Sequence, residues 1–344
     1  MTDEEHDSGV AYLNLEEGAV VAPPQGPVPA RESRGSGPAR TLLMGSSEHP
    51  RPEVAAGQPA VRGLIPGQVV AERYRVERWL GSGGSAMVHE VTDLPTGAHL
   101  ALKVLSVPGA DASQIARFRQ EVEHARGLDH PNIVRVHDVG VDGDRHFLTT
   151  ELLVGMDLKR RLMGPRPTLA EALRWLTHAA AALEHAHGRG VLHRDVKPGN
   201  LFLTKPGILK LMDFGLAKST HVAGVTAQGA VLGTPEYMAP EQISGAHPVS
   251  PATDLYSLGV VAYELLTGQL PFRHPQPVPL MFLHVQQQPT PPRTLNPSLP
   301  EPFERVVLKL MQKHPEQRYP DAAALRGDLA RLWPLALPPK AVSR

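Results

Sequence analysis

The chain has 344 residues, 41% of them hydrophobic, and its 35 basic and 35 acidic side chains cancel to a formal charge of zero. That length suits one large domain or two modest ones, and the neutral balance gives no global attraction to nucleic acid or anionic membranes. Cysteine is absent, which excludes disulfides and thiolate metal sites and fits a reducing compartment.

Proline (35) and glycine (31) are spread unevenly. Residues 1–68 hold nine of each, and 22-APPQGPVPARESRGSGPAR-40 has too few apolar side chains to offset the entropy of ordering it. We expect 1–68 to be a disordered arm, with five basic against nine acidic residues. Its start is acidic rather than basic and then apolar, so no secretory leader is expected. No window approaches the ~18 consecutive apolar residues of a membrane span.

From residue 69 the pattern becomes regular. Residues 74–92 read as a strand, a Gly-rich turn and a second strand, and 98–107 as a third. Residues 113–128 form an amphipathic helix, with Ile115, Phe118, Val122, Ala125 and Leu128 at three- and four-residue spacings. Short strands follow near 133–139 and 145–151. The chain then turns helical: 168–188 carries Leu169, Leu173, Leu176, Ala180 and Leu183 on one stripe, with Gly188 as its C-cap. Two short strands (201–204, 208–212), a long loop and helices near 253–267, 278–287, 301–313 and 321–333 complete it. Strands with one helix, then mostly helices, predict an α+β protein of two lobes with a cleft between them.

Several polar residues stand out against this frame. Gly81 and Gly83 sit in a turn between strands, where backbone can approach a phosphate chain closely, although such a turn is by itself an ordinary hairpin. In 100-LALKVLS-106, Ala101, Lys103 and Leu105 share one face and Leu100, Leu102 and Val104 the other. A Lys there needs either water or a partner, and Glu121, on the inward stripe of the helix, is one candidate. Asp195 and Asn200 lie in the loop 191-VLHRDVKPGNLFL-203, and Asp213 follows in 209-LKLMDFGLAK-218; carboxylate and amide oxygens of this kind suit Mg²⁺.

The ordered set Gly81-x-Gly83, Ala101-x-Lys103, Glu121, His193-Arg194-Asp195, Asn200, Asp213-Phe214-Gly215 and Ala239-Pro240-Glu241 resembles the eukaryotic-type (Hanks-type) protein kinases. The resemblance covers about 73–333, and KPGN with GTPEYMAPE is most similar to bacterial Ser/Thr kinases. It implies a bilobal kinase fold over 69–335, with an N-lobe at 69–151, a C-lobe at 155–335 and a short tail at 336–344. No further domain is expected after the last helix.

The same resemblance implies roles. Asp195 accepts or orients the proton of the attacking hydroxyl, Lys197 steadies the γ-phosphate, and Asn200 and Asp213 hold Mg²⁺, with Mn²⁺ as an alternative. Lys103, held by Glu121, meets the α/β-phosphates of ATP. Leu80, Gly81, Ser82, Gly83, Gly84, Ser85 and Ala86 lie over the nucleotide. Val88 and Ala101 roof the adenine and Phe202 is its floor, while Thr150 is the gatekeeper and the backbones of Glu151 and Leu153 meet the base edge. The loop 213–241 resembles an activation segment. Thr226 is the candidate phosphosite for Arg194, with Ser219 and Thr220 as alternatives. Thr234 packs against Asp195 and Lys197, Glu241 pairs with Arg318, and Asp254 braces the catalytic loop.

Three departures from the pattern stand out: Ala86 in place of the third loop glycine, Val196 after Asp195, and 89-HEVT-92 in place of an aromatic-containing strand. The function implied is a cytoplasmic ATP-dependent Ser/Thr protein kinase. It would act on protein hydroxyls and on itself through self-association, with no nucleic-acid partner. The alternatives are a catalytically dead scaffold, against which Lys103, Asp195 and Asp213 are all present, and a small-molecule phosphotransferase, against which Lys197 and GTPEY…APE stand.

Overall fold

The computed structural model describes residues 64–83, 86–105, 125–143, 145–214 and 234–337. Gly84, Ser85, Glu121, Ser219, Thr220 and Thr226 lie outside the described residues, as does the helix expected over 113–128 except for its last residues.

The N-terminal lobe is one antiparallel sheet. Its strands are β1 (Val69–Val70), β2 (Tyr74–Gly83), β3 (Ala86–Asp93), β4 (His99–Leu105), β5 (Val136–Asp142) and β6 (Arg145–Glu151), in the spatial order β1-β2-β3-β4-β6-β5. The alternation in β4 sets both faces of the sheet. Leu100, Leu102 and Val104 join Tyr74, Val76, Val91 and Phe147 in an upper core. Ala101 points the other way, into a second cluster with Leu80, Val88, Leu153, Phe202 and Met212. Leu64 is buried in the upper core, so the packed chain begins before the expected start at 69. Register shifts between Val76 and Arg78 and between Trp79 and Gly81 bend β2 as it approaches the Gly-rich turn.

The C-terminal lobe opens with β7 (Gly155–Asp157), α1 (Leu158–Leu162) and the long α2 (Leu169–His187). Thr168 and Glu171 cap α2 reciprocally: the Glu171 N–H donates to Thr168 Oγ1 at 3.2 Å, and the Thr168 N–H to Glu171 Oε2 at 2.8 Å. Of the expected stripe Leu173, Leu176, Ala180 and Leu183 are buried and Leu169 is partly buried, and the alanines between the leucines let neighbouring helices approach. Gly188 is the C-cap but keeps right-handed torsions (φ −61°), and the left-handed turn falls on Gly190 (φ 73°). β8 (Leu201–Thr204) and β9 (Leu209–Leu211) pair with β7 in a small sheet.

Then come α3 (Pro240–Ser244), α4 (Pro251–Thr267), α5 (Pro277–Gln286), α6 (Pro292–Leu295), α7 (Glu301–Leu310) and α8 (Ala322–Ala336). α4 is the axis of the lobe, with 14 of its 17 residues buried, as befits a helix apolar on nearly every side. Gly259 permits contact with α7: a Cβ there would fall 2.6 Å from Leu310 Cβ.

Candidate active site

Residues 191–200 connect α2 to β8 and form the centre of the cleft. Gly190 reverses the chain, and Arg194 follows in the left-handed region (φ 64°), which is costly for a residue with a side chain. What holds it is Asp254, in the first turn of α4. Asp254 Oδ1 accepts the Arg194 N–H at 2.7 Å, and Oδ2 accepts the His193 N–H at 2.9 Å and His187 Nε2 at 2.8 Å. Burial alone would push the Asp254 carboxyl up, but the His187 contact and the His193 N–H outweigh it and hold the group below the usual carboxylate range. The expected bracing role of Asp254 thus has a geometry.

The His193 ring fixes the other side of the loop. Its Nε2 meets Met212 O at 2.6 Å, its Nδ1 accepts the Asp195 N–H at 3.2 Å, and its edge packs on Phe214 at 4.8 Å. These partners set the neutral tautomer with the proton on Nε2. They also lock the segment bearing Asp195 to the one bearing Asp213.

Four of the expected residues converge. Asn200 Nδ2 donates to Asp195 O at 2.8 Å and to Asp195 Oδ2 at 3.1 Å. Lys197 Nζ lies 3.1 Å from the same Oδ2 and donates to Thr234 Oγ1 at 2.9 Å. Gln242, which sequence reasoning passed over, joins them by donating to Arg194 O at 2.9 Å and accepting the Ala239 N–H at 3.1 Å.

On the roof, Lys103 is buried at 7% exposure and pairs with Asp213 Oδ2 at 2.8 Å. Asp213 takes left-handed torsions (φ 60°), which bring its carboxylate back toward the sheet. Thr150 lies across the ladder from Ala101 and lines a cavity with Lys103, Leu148, Met212 and Phe214. Leu80, Val88, Ala101, Leu153 and Phe202 meet in one buried cluster.

A divalent cation fits part of this arrangement. Both bonds from Asn200 Nδ2 end on oxygens of Asp195, so the amide nitrogen faces Asp195 and Oδ1 remains as an acceptor. The Met212 N–H donates to Asn200 O at 2.9 Å, which places Asp213 one residue from that contact. Among the described residues no group of three or more His, Asp or Glu side chains gathers as a metal site. The Asn200 amide oxygen and the Asp213 carboxylate are hard oxygen donors of the kind Mg²⁺ takes, and phosphate and water would have to complete such a shell.

Away from the chemistry, Glu241 and Arg318 form a fully buried bidentate pair, with Nη1–Oε1 at 2.7 Å and Nη2–Oε2 at 2.9 Å. Sequence reasoning also missed Lys210, on β9, whose Nζ lies 2.7 Å from Glu151 Oε1. The signal was a Lys between two apolar strand residues, the same pattern that had drawn attention to Lys103.

A strand-rich lobe over a helical lobe, with a Lys–Asp pair above and an Asp–Lys–Asn cluster below, is the arrangement of one large class of phosphotransferases. The chain matches the protein kinase domain over residues 74–328 and belongs to that family, and membership implies ATP and a divalent metal. Within it, the chain is 38% identical over 271 residues to the serine/threonine-protein kinase PknB of Mycobacterium tuberculosis, covering 76% of this chain and 43% of that protein. It is 34% identical over 268 residues to the serine/threonine-protein kinase PrkC of Bacillus subtilis, covering 77% and 41%. The chain thus spans less than half the length of these curated relatives. The crystal structure of the Mycobacterium tuberculosis PknI kinase domain is similar, with a TM-score of 0.63 at 28% identity over 78% of this chain and 99% of that one.

Proposed function

We propose that this chain transfers the γ-phosphate of ATP to Ser and Thr hydroxyls of proteins, itself included, with Mg²⁺ held by Asn200 and Asp213. The observation that carries the proposal is the convergence of Asp195, Lys197 and Thr234 at the mouth of the cleft. Asp195 accepts the proton as the substrate oxygen attacks phosphorus. Lys197 neutralises charge on the transferring group while staying fixed by Thr234, and Thr234 shapes the groove for the substrate residue. Lys103 holds the phosphates from above. The cation, when bound, screens the charge that develops between the β- and γ-phosphates. Positioning and electrostatics then account for most of the rate, since little covalent work falls to the protein.

Further elements of the reading rest on the family pattern. Glu121 would pair with Lys103, and phosphorylated Thr226 would pair with Arg194. The absence of cysteine fits a cytoplasmic setting.

The test is transfer of label from ATP to a generic basic protein by wild type and by Asp195→Asn. We expect the variant to lose about 10²–10⁴-fold in kcat, the usual worth of a positioned acid–base group, with MgADP binding retained. Transfer by Asp195→Asn at the wild-type rate would overturn the assignment.

A further inference from the structure

Glu151 ends β6 and opens the connection to the helical lobe, where the backbone edge read as meeting adenine begins. Three contacts fix it. Its N–H donates to Arg135 O at 3.0 Å, and its Oε1 accepts the Arg135 N–H at 2.9 Å and Lys210 Nζ at 2.7 Å. Lys210 lies on β9 directly across the ladder from Phe202, so both side chains leave the same face of the small sheet. Phe202 is the floor of the apolar slot. A single ion pair therefore spans from β9, the strand that pairs with the one bearing Phe202, to the end of β6.

Residues 132–135 splint this link. The Val134 N–H donates to Leu211 O at 3.0 Å, the Leu211 N–H to Asn132 O at 2.8 Å, and Asn132 Nδ2 to Leu209 O at 2.8 Å. The segment is thus bonded to β9 on one side and, through Arg135, to Glu151 on the other. The pair itself is shielded, with side-chain exposures of 17% for Lys210 and 28% for Glu151, so bulk salt screens it less than a surface pair.

We propose that Lys210 is a positioning residue for the nucleotide: through Glu151 it fixes the spacing between the β8–β9 pair, which carries Phe202, and the base-recognising edge. The base then enters a preformed slot and need not order one. The phosphates are held elsewhere, by Lys103 and the Gly-rich turn, so Lys210 acts on nucleotide affinity and not on the transfer step. The inference rests on the reading of Thr150–Leu153 as the base edge.

The test is calorimetric titration of MgADP into the full chain, as wild type, Lys210→Met, Lys210→Arg and Glu151→Gln. Lys210→Met should weaken binding roughly five-fold, the scale of one lost charge-assisted contact acting indirectly. KM for ATP should rise in proportion while kcat stays within about two-fold. Lys210→Arg keeps the charge and should recover most of the affinity. Glu151→Gln keeps the side-chain volume and an acceptor for the Arg135 N–H, and should reproduce the loss even if Lys210→Met folds poorly. A wild type that binds MgADP while Lys210→Met and Glu151→Gln bind equally well would overturn the inference, as would a loss confined to kcat. Failure of the wild type to bind MgADP would instead overturn the nucleotide reading, and the latch with it.

Discussion

All five N–H donors of Arg318 are engaged: two meet Glu241, and three meet the carbonyls of Gln312, Ala252 and Lys313. Thr253 Oγ1 adds a third donor to the Glu241 carboxylate at 2.8 Å. A charge buried this completely is tolerable only while its partner stays. Glu241→Ala should therefore destabilise the fold by about 3–5 kcal/mol, read as a shift of the denaturant midpoint, and a shift worth under about 1 kcal/mol would contradict the buried-pair reading. At this scale much of the site was legible. Asp195, Lys197, Asn200 and Thr234 stand out by residue type and order, and the structure brings these four together, while Asp213 meets Lys103. Gln242 and the left-handed torsions of Arg194 and Asp213 were not legible, and of Lys210 only its place between apolar strand residues was, not its partner. Each depends on what a distant segment presents: Glu151 for Lys210, Asp254 for Arg194.

The helices found by periodicity are long ones with a buried stripe, and α2 and α4 lie within two residues of their expected ends. The elements missed are β1, β7, α1, α3 and α6, each of two to five residues, too short for either period to repeat. Close packing between elements was equally invisible, because it rests on what a glycine faces. Gly259→Ala would drive a methyl into Leu310, so we expect a loss of about 1–3 kcal/mol in stability with the helix content unchanged; equal or greater stability would show that α4 and α7 have room to part. A second element-scale prediction concerns His284 on α5, fully buried, whose Nδ1 lies 3.0 Å from Tyr256 Oη. Burial, reinforced by the Lys313 ammonium, pushes its pKa down to about 3, and the backbone at Glu236 offsets this only in part. Below about pH 6.5 the unfolded chain takes up a proton that folded His284 refuses, so stability falls as the pH falls toward 3. His284→Asn should flatten the dependence of unfolding free energy on pH between about pH 6 and pH 4.5 by up to ~1.4 kcal/mol per pH unit. An unchanged slope would place the acid sensitivity elsewhere.

Across the whole molecule the chemistry is divided between two lobes. The sheet supplies Lys103 and the roof, and the helical lobe supplies Asp195, Lys197, Asn200 and the floor. Asp213 joins the lobes through Lys103, and Glu151 joins them through Lys210 at the end of β6. Among the described residues no helix is long and apolar enough to cross a membrane. The central claim is that the Asp195–Lys197–Thr234 cluster directs phosphate to Ser and Thr hydroxyls. Its most direct test is mass spectrometry of the phosphatase-treated full chain after incubation with MgATP, alone and with a protein substrate, beside Asp195→Asn treated alike. We predict phosphoryl groups on Ser and Thr of the wild type and of the substrate, and none above background with Asp195→Asn. Equal incorporation by the two proteins, or none by the wild type with bound MgATP demonstrated, would contradict it.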